Sequence, residues 1–321
     1  MNLSIIGFGY TGQQHARAVK SIPGVSIRAV AESDPGRRAA AETQAYSDYR
    51  QLLDDPAVDA VSICLPHFLH EQVAQDALLA KKDVLVEKPL AMTVEAGERL
   101  CRLARQESRV LMVEMTHRFM PPILEARNLV QSGEVGEVIA VTEVLVEGLG
   151  LFGSLPAWMF SKSEAGGGVG LTSGIHLIDH VVFVTGQTLS FESACLRSTR
   201  RLGDIEDVAA FSLRLANGSP VQILLCWRAE DNALEGDLNI VGTRGTLSVQ
   251  IWNGWKLVGA SGSKSHACFD DSQTIPDRAR VGMKGAILEF VNAVRERRDP
   301  EPRAEETLVS QRFIEKAYAF V

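Results

Sequence analysis

Short apolar runs and helical patterns alternate through the first third of the chain. Continuous apolar runs predict buried strands at residues 3–6, 25–31, 58–65, 84–87 and 110–114. Apolar residues at helical spacing predict helices at residues 13–21, 37–43, 49–53, 70–80 and 94–107. Apolar strands separated by helices are typical of a doubly wound parallel sheet that is covered on both faces. We therefore predict a Rossmann-type α/β domain at the start of the chain.

After residue 118 the predicted strands become longer and often follow one another directly. They fall at residues 135–146, 189–200, 208–215, 221–229, 237–251 and 255–258. Asn217-Gly218 lies between two of them and favours a hairpin. Helices are predicted at residues 121–132, 284–298 and 305–320. We expect a dinucleotide-binding domain at 1–118 and an α+β domain at 119–321, built on a large, mostly antiparallel open sheet.

Composition narrows the possible partners and the compartment. The 321 residues carry a formal net charge of −7, which disfavours nucleic acid and anionic membranes as partners. No apolar run reaches the roughly 18 residues that a membrane span needs. The five cysteines are scattered and contain no C-x-x-C, which favours a reducing compartment. Since the first residues show no secretory signal, we expect a cytoplasmic protein.

A glycine motif follows the first predicted strand. The segment Gly7-Phe8-Gly9-Tyr10-Thr11-Gly12 fits G-x-G-x-x-G and leads into a helix. The first glycine makes the turn, the second lets the backbone approach a pyrophosphate, and the third lets helix and strand pack closely. The N-terminus of the helix then faces the anion. The alternative is a tight turn with no ligand.

An acidic residue lies where this motif expects one. Glu32 ends the second strand, 20 residues past Gly12, where a carboxylate bonds the ribose hydroxyls and repels a 2′-phosphate. Ser33 and Asp34 follow, so no arginine comes directly after it. We therefore expect NAD in preference to NADP, although Glu32 as a plain surface carboxylate remains the alternative.

Two further strand ends are expected beside the cofactor. Leu65, Pro66, His67 and His70 follow the third strand, although His70 as a helix cap and His67 as a polar loop residue are alternatives. Glu87-Lys88-Pro89 follows the next strand. A lysine at the end of a buried strand is costly unless it is paired or used, and open α/β sheets bind ligands at this edge. We therefore predict that Lys88 faces whatever meets the nicotinamide.

A glycine-rich loop at residues 166–174 leads to the second group of candidates. Thr172 and His176 are four residues apart and would share one helix face. Alcohol oxidation needs a base and a group that stabilises an alkoxide, which His176 and Lys88 can supply. A core histidine is the alternative for His176. His176 and His180 have the spacing of a zinc helix, but Leu177 replaces the glutamate of H-E-x-x-H, so we expect no metal.

Together these motifs resemble the Gfo/Idh/MocA family, which includes glucose–fructose oxidoreductase and inositol dehydrogenase. The resemblance covers essentially the whole chain. It rests on the glycine motif followed by His15, on Glu87-Lys88-Pro89, on His117-Arg118-Phe119, and on Gly174-Ile175-His176 with Asp179. It implies NAD(P)-dependent oxidation or reduction of a sugar, polyol or related cyclic alcohol. It also implies a homodimer or homotetramer that assembles through the open sheet of the second domain.

The resemblance also implies roles for single residues. Lys88 and His176 match the catalytic lysine and histidine, and Thr172, Arg118 and Trp158 are expected at the substrate. The chain departs from the family at Thr172, where an aspartate is frequent, and after Trp158, where Met159 and Phe160 replace a frequent arginine. A dehydrogenase or reductase is therefore the main hypothesis. The alternatives are a glycosidase-like or aldose-transferring relative that recycles tightly bound NAD, and a non-catalytic dinucleotide-binding protein.

Overall fold

The computed structural model describes residues 1–150, 155–200, 202–228, 234–260 and 262–320. Residue 229, the end of a predicted strand, lies outside the described residues. The chain divides into two compact units. The first contains Met1–Thr116 and Met283–Leu308, and the second contains His117–Gly282 and Val309–Val321.

The first unit is built on a parallel sheet of six described strands in the order β3-β2-β1-β4-β5-β6. The strands are β1 (Asn2–Ile6), β2 (Ser26–Ala31), β3 (Gln44–Tyr46), β4 (Ala60–Ile63), β5 (Asp83–Glu87) and β6 (Leu111–Glu114). The helices between them are α1 (Tyr10–Val19), α2 (Pro35–Ala39), α3 (Tyr49–Leu53), α4 (His70–Leu79) and α5 (Val94–Gln106). The strand order reverses between β1 and β4, which is where doubly wound sheets bind ligands. The predicted Rossmann-type sheet is confirmed.

Residues 283–308 pack with this first unit, although the sequence assigns them to the second domain. A Cβ on Gly97 of α5 would lie 2.6 Å from Leu308 Cδ2, so the two residues are in close contact. Arg297 Nη1 lies 3.0 Å from Asp83 Oδ2, and Arg295 Nη2 donates to Gly24 O at 2.9 Å. These contacts join positions about two hundred residues apart, which local patterns do not reveal. The division at residue 118 stays a prediction about functional domains.

The second unit contains a sheet in the order β14-β13-β12-β11-β7-β10-β9-β8, counting described strands. Its strands are β7 (Val138–Gly148), β8 (Leu189–Arg197), β9 (Val208–Leu215), β10 (Pro220–Arg228), β11 (Leu234–Gly242), β12 (Gly245–Gln250), β13 (Gly254–Gly259) and β14 (Gly262–Ala267). All described pairs are antiparallel except β7 with β10. The predicted mostly antiparallel sheet is confirmed, and β9 and β10 flank Asn217-Gly218 as a hairpin.

One strand prediction in this unit was wrong, and one strand was not predicted. The single strand predicted at residues 237–251 is the antiparallel pair β11 and β12, separated by a bend at Thr243 and Arg244. The backbone N–H groups of these two residues donate to Glu137 O and Val135 O, which holds the bend against the start of β7. The edge strand β14 escaped prediction because its sequence is polar and every residue in it is exposed.

The helices of the second unit include α6 (Pro121–Gln131), α7 (Lys162–Ala165), α8 (Val169–Thr172) and α9 (Gly174–Thr185), and α6, α8 and α9 pack against the strands of this sheet. Two further helices, α10 (Ile275–Glu296) and α11 (Ala304–Phe320), each contain residues of both units. Alternate residues of β9 and β10, such as Phe211 and Leu225, are buried with Ile175 and Ile178 of α9 in one apolar core. On β7 and β10 the paired residues Val144 and Leu224 are 41% and 46% exposed, so part of the sheet surface is open and apolar.

Within the described residues, no single helix is long and apolar enough to cross a membrane. One bent pair, Lys162–Thr172 followed by Gly174–Thr185 at 43°, meets the length and composition requirements alone.

Candidate active site

The glycine turn has the geometry that a dinucleotide cradle requires. Gly7 has a φ of +90°, and a Cβ there would lie 2.3 Å from Cys64 O, so no other residue fits. A Cβ on Gly12 would lie 2.0 Å from Gly7 O, because α1 packs directly on the turn. At Gly9, by contrast, no described atom lies within 4 Å of an added Cβ. The open space at Gly9 is where the backbone can approach a pyrophosphate.

Glu32 closes the far side of this turn. Its Oε2 accepts a hydrogen bond from the Phe8 N–H at 2.8 Å, and its Oε1 accepts one from the Asp34 N–H at 2.9 Å. Arg37 Nη2 lies 3.0 Å from Oε1. Burial alone would raise the pKa of Glu32, but the bonds from Arg37, Asp34 and Phe8 outweigh it and lower the pKa. Glu32 is therefore a carboxylate at neutral pH, held against the turn.

Arg37 is a residue that the sequence reasoning missed. Ser33 and Asp34 directly after Glu32 suggested that no arginine was close. However, Asp34 caps α2 by accepting the Arg37 N–H at 2.7 Å, and Pro35 occupies the first turn. This short helix turns the chain back, so that Arg37 reaches Glu32. The Asp-Pro pair, a common helix start, was the sequence signal that could have revealed it.

Lys88 follows β5 directly and is partly exposed at the carboxyl end of the strand. Its loop is anchored by His70, the first residue of α4, which is fully buried. His70 Nδ1 lies 2.7 Å from Pro89 O, and Nε2 lies 2.8 Å from Leu65 O. Burial lowers the pKa of His70 despite these carbonyl partners. His70 therefore ties together the loops that follow β4 and β5.

The other residues expected at the end of β4 lie in the same loop. Leu65 and Pro66 are partly exposed, and His67 is buried in the 3₁₀ helix His67–Leu69. The ring of His67 packs edge-on against His70, with centroids 5.6 Å apart. Direct contact of these residues with a cofactor remains a prediction.

A buried ionic cluster lies behind Lys88 in the first unit. His15 Nε2 lies 2.6 Å from Glu114 Oε2 and 3.2 Å from Glu87 Oε1, while Nδ1 lies 2.8 Å from Ser62 Oγ. Burial alone would lower the pKa of His15, but the sulfur of Cys64 and the carboxylate of Glu114 raise it well above the usual value. Burial raises the pKa of Glu114, whereas the hydrogen bond from His15 keeps the pKa of Glu87 low. The protonated His15 thus holds Glu87, the neighbour of Lys88.

The glycine-rich loop of the second unit is clamped by a glutamate that the sequence did not indicate. Glu206 accepts the Gly168 N–H at 3.0 Å and the Gly170 N–H at 2.9 Å through its two oxygens. Tyr318 donates its hydroxyl proton to Glu206 Oε1 at 2.7 Å. A Cβ on Gly167 would lie 1.9 Å from the Tyr318 hydroxyl oxygen, so the loop needs glycine at that position. These partners are distant in sequence, and no local pattern points to them.

Thr172 and His176 do not share one continuous helix, as the sequence had suggested. The helix breaks at Ser173, which separates α8 from α9. The hydroxyl of Ser173 donates to Glu147 Oε2 at 2.5 Å, so this side chain is drawn toward β7. The i, i+4 argument was therefore wrong in its geometry, although both residues lie in the same short segment. Thr172 is partly exposed, and His176 is 8% exposed.

His176 lies among other histidines. The ring of His117 stacks on His176 with centroids 4.1 Å apart and planes at 23°. His117 Nδ1 also lies 3.1 Å from His180 Nε2, and His180 Nδ1 lies 2.6 Å from Glu143 Oε1. Burial raises the pKa of Glu143. His117 was recognised only as part of a motif, and Glu143 was not singled out, because the contact joins residues 37 positions apart.

Arg118 and Asp179 form a buried bidentate ion pair. Arg118 Nε donates to Asp179 Oδ2 at 2.7 Å, and Nη2 donates to Oδ1 at 2.6 Å. The side chains are 7% and 2% exposed. Such a pair fixes the segment of His117 against α9. The guanidinium of Arg118 is engaged in this pair. A contact between Arg118 and a substrate stays a prediction.

Trp158 lies in the 3₁₀ helix Ala157–Phe160 and is partly exposed with Met159 and Phe160. Phe160 packs edge-on against Trp227, with centroids 6.5 Å apart. Trp158 is thus a partly exposed aromatic residue of the second unit, and its contact with a substrate stays a prediction.

Two family profiles match this chain. Residues 1–115 match the profile described as "Oxidoreductase family, NAD-binding Rossmann fold". Residues 123–248 match the profile described as "GFO/IDH/MocA C-terminal domain". The matches confirm the resemblance that the motifs indicated, and they confirm the NAD-binding Rossmann domain.

Two curated relatives that match part of this chain are dehydrogenases. The chain is 32% identical to inositol 2-dehydrogenase 2 of Saccharopolyspora erythraea over 234 residues, 70% of this chain and 66% of the relative. It is 28% identical to levoglucosan dehydrogenase of Pseudarthrobacter phenanthrenivorans over 201 residues, 58% of this chain and 52% of the relative. The matched region thus spans between 52% and 66% of the length of these two relatives.

Solved structures share the fold over nearly the whole chain. An oxidoreductase from Agrobacterium radiobacter, in complex with NAD+, L-tartaric acid and magnesium, matches with a TM-score of 0.89 at 20% identity, over 99% of this chain and 95% of that chain. A levoglucosan dehydrogenase in complex with NADH and levoglucosan matches with a TM-score of 0.86 at 22% identity, over 100% of this chain and 98% of that chain. At these identities the likeness establishes the fold.

Proposed function

Because the chain belongs to the Gfo/Idh/MocA oxidoreductase family, we propose that it is an NAD-dependent dehydrogenase or reductase. It transfers a hydride between the nicotinamide and a secondary alcohol or ketone of a sugar, polyol or related cyclic substrate. The observation that carries this proposal is the position of Lys88, which follows β5 at the ligand-binding edge of an NAD-binding Rossmann sheet. A cation there can serve the oxygen of a reacting substrate.

The cofactor fits the residues of the glycine turn. The open Cβ position at Gly9 leaves room for a pyrophosphate, and α1, with Tyr10 and Thr11 in its first turn, offers its N-terminus to the anion. Glu32 would bind the adenosine ribose, and its negative charge opposes a 2′-phosphate, which favours NAD over NADP. When bound, the cofactor supplies the hydride acceptor or donor of the reaction.

Lys88 and His176 divide the remaining chemistry. The Lys88 ammonium donates a hydrogen bond to the substrate oxygen and stabilises the negative charge that grows on it. His176 accepts the hydroxyl proton during oxidation and returns it during reduction. The hydroxyl of Thr172 hydrogen-bonds a neighbouring substrate hydroxyl. Arg118 and Trp158 complete the substrate contacts in this proposal.

Two observations support a hydroxylated ring as the substrate. The relatives with the named substrates inositol and levoglucosan both act on hydroxylated rings. Trp158 is a partly exposed aromatic residue, and aromatic side chains stack on the apolar faces of sugars. With Met159 and Phe160 beside it, the wall is more apolar than an arginine would make it, which disfavours a strongly anionic substrate.

The second sheet supports the proposal of a homodimer or homotetramer. Val144 and Leu224 lie opposite each other on neighbouring strands and are both exposed. An exposed apolar patch on a sheet is a common interface with a second copy. Catalysis by a nicotinamide enzyme with reduced cysteines fits a cytoplasmic location, which we include in the proposal.

The test is the change in absorbance at 340 nm with NAD, and separately NADP, against inositols, free sugars, sugar acids and glycosides. Reduction of NAD with one substrate class supports the proposal and identifies the class. A protein that binds NAD but reduces none of it, and oxidises no NADH with the matching ketones, would instead be a non-catalytic dinucleotide-binding protein. NAD that survives desalting and is never released would indicate the recycling alternative.

A further inference from the structure

Three side chains of the second unit form a hydrogen-bonded chain that ends beside His176, and the third of them, His117, is partly exposed. Glu143 on β7 and His180 on α9 are 5% and 1% exposed. Glu143 Oε1 lies 2.6 Å from His180 Nδ1, and His180 Nε2 lies 3.1 Å from His117 Nδ1. His117 then stacks on His176 at a centroid distance of 4.1 Å. The chain therefore links a buried carboxylate to the proposed base.

The carboxylate sets the direction of both hydrogen bonds. An ionised glutamate only accepts, so His180 must carry its proton on Nδ1. The Nε2 of a neutral His180 is then an acceptor, so His117 must carry a proton on its own Nδ1. One negative charge at Glu143 thereby orients two imidazole rings, and each ring points its positive N–H end toward Glu143 and its negative, unprotonated nitrogen away from it. Removing the charge removes this constraint.

Stacking limits what His117 and His176 can do together. Parallel ring faces exchange no proton, because neither nitrogen points at the other ring's nitrogen. Two stacked imidazolium ions would repel, whereas an imidazolium stacked on a neutral imidazole is favourable. The segment before α9 offers the Thr172 hydroxyl, which carries no charge. A carboxylate linked to the stacked partner can therefore stabilise a protonated His176 without contacting it.

Building on the proposed function, we propose that Glu143, through His180 and His117, raises the proton affinity of His176. Glu143, His180 and His117 are positioning residues in this account, since they act on the base. The chain has a charge of −1 when Glu143 is ionised and both rings are neutral. This negative charge favours the protonated form of His176, which stacks on His117.

The surroundings of the chain leave its charge largely uncompensated. Arg118 and Asp179 are a bidentate pair with no net charge. Glu143, His180 and His117 line one cavity together with Glu147 of β7, whose Oε2 accepts from Ser173 and from Trp227 Nε1. The other residues that line this cavity are apolar or aromatic, apart from Gly236: Ile123, Val144, Leu145, Leu177, Leu238, Val249, Ile251 and Trp252. Low polarity lets one charge act at a distance.

The test follows the histidine side chains by two-dimensional ¹H–¹⁵N NMR across pH, with no substrate present. In the wild type we expect His180 and His117 as Nδ1–H tautomers. In Glu143→Gln we expect mixed tautomers at both rings and a titration midpoint of His176 that is lower by about one pH unit, a tenfold loss of proton affinity. The matched variant Glu147→Gln should leave the tautomers of His117 and His180 unchanged.

The variant His180→Gln distinguishes an effect that Glu143 transmits through the hydrogen bonds of His180 from a purely through-space effect of its charge. Glutamine can still accept from His117 but cannot transmit the charge of Glu143, so the midpoint of His176 should fall as it does in Glu143→Gln. A midpoint that stays at the wild-type value in either variant overturns the proposal. Folding of each variant is checked by thermal unfolding. Glu143→Asp keeps the negative charge, so the midpoint of His176 in this variant should lie closer to the wild-type value than in Glu143→Gln.

Activity gives a second readout. The acidic limb of the kcat/KM profile for oxidation should move to lower pH in Glu143→Gln by the same amount as the midpoint of His176. Because the NMR experiment needs no substrate, a substrate panel without any turnover would contradict the proposed function and leave the test of the chain intact. A shifted midpoint with an unshifted limb would show that His176 is not the base.

Discussion

Arg37 Nη2 donates a hydrogen bond to Glu32 Oε1 at 3.0 Å, and the two side chains form an ion pair beside the glycine turn. The guanidinium is 52% exposed, whereas the carboxylate is 5% exposed. Arg37 thus partners the acidic residue that we propose to oppose a 2′-phosphate. We expect the preference between NAD and NADP to depend on which member of the pair is free to meet the cofactor.

Glu32→Ser should change the cofactor preference. The substitution removes the repulsive carboxylate and releases Arg37, whose guanidinium is suited to a phosphate. We expect the ratio of kcat/KM for NADP to that for NAD to rise by about tenfold or more, an effect of about 1.4 kcal/mol. The double variant Glu32→Ser/Arg37→Ala should lose the gain for NADP. A ratio unchanged by Glu32→Ser would mean that Glu32 does not contact the ribose.

Gly9→Ala should separate binding from folding. An added Cβ meets no described atom within 4 Å, so we expect the free energy of unfolding to change by less than about 1 kcal/mol. The same methyl group would occupy the space of the pyrophosphate, so NAD affinity should fall about tenfold or more. Fluorescence titration with NADH and thermal unfolding measure the two effects.

Gly12→Ala is the matched comparison for this experiment. Its Cβ would lie 2.0 Å from Gly7 O, so this variant should be destabilised in the absence of cofactor. If Gly9→Ala binds NADH as tightly as the wild type, the cofactor does not approach the turn at Gly9.

His15→Gln should change how stability depends on pH. The pKa of His15 in the folded protein is raised above 6.5, so its contribution is complete below pH 6.5 and is lost as the pH rises through the folded value. Glutamine removes the cation that Glu87 and Glu114 share, and breaking a buried ion pair costs about 3 kcal/mol. We expect the variant to be much less stable than the wild type at pH 6 and the difference to shrink at higher pH.

Urea unfolding at several pH values from 6 to 9 measures this difference. A gap between wild type and His15→Gln that stays constant over that range would show that His15 is not charged in the folded protein. A pH dependence confined to the wild type would show that His15 itself titrates.

Much of the first unit could be predicted from local sequence. The glycine motif, the carboxylate at Glu32 and the lysine after β5 are defined by short spacings along the chain, and each lies in the expected element. Where the chain folds back over a few residues the reasoning failed, as at Arg37, because a capped turn of helix α2 redirects the side chain. Two strands were not predicted from the sequence. β3 is only three residues long, and β14 is polar and exposed throughout.

The second unit was less predictable because long-range contacts define its site. Glu206 accepts a hydrogen bond from Gly170 of the glycine-rich loop, 36 residues away in sequence. Tyr318 in turn donates to Glu206 from 112 residues away. Glu143 reaches His180 from a neighbouring strand, and nothing in its local sequence distinguishes it from other strand residues. Even the near neighbours Thr172 and His176 were misplaced, because the helix breaks at Ser173, whose hydroxyl bonds the distant Glu147 on β7.

The chemistry assigned to Lys88 is the central claim, and one variant tests it most directly. Lys88→Ala should lower kcat on the best substrate of the panel by about 10²- to 10⁴-fold, while the Kd for NAD stays within about twofold of the wild type. Lys264→Ala, which removes an exposed lysine paired with Glu134 in the second unit, should leave both unchanged. If Lys88→Ala turns over substrate at the wild-type rate, Lys88 does not stabilise the reacting oxygen, and the proposed mechanism is wrong.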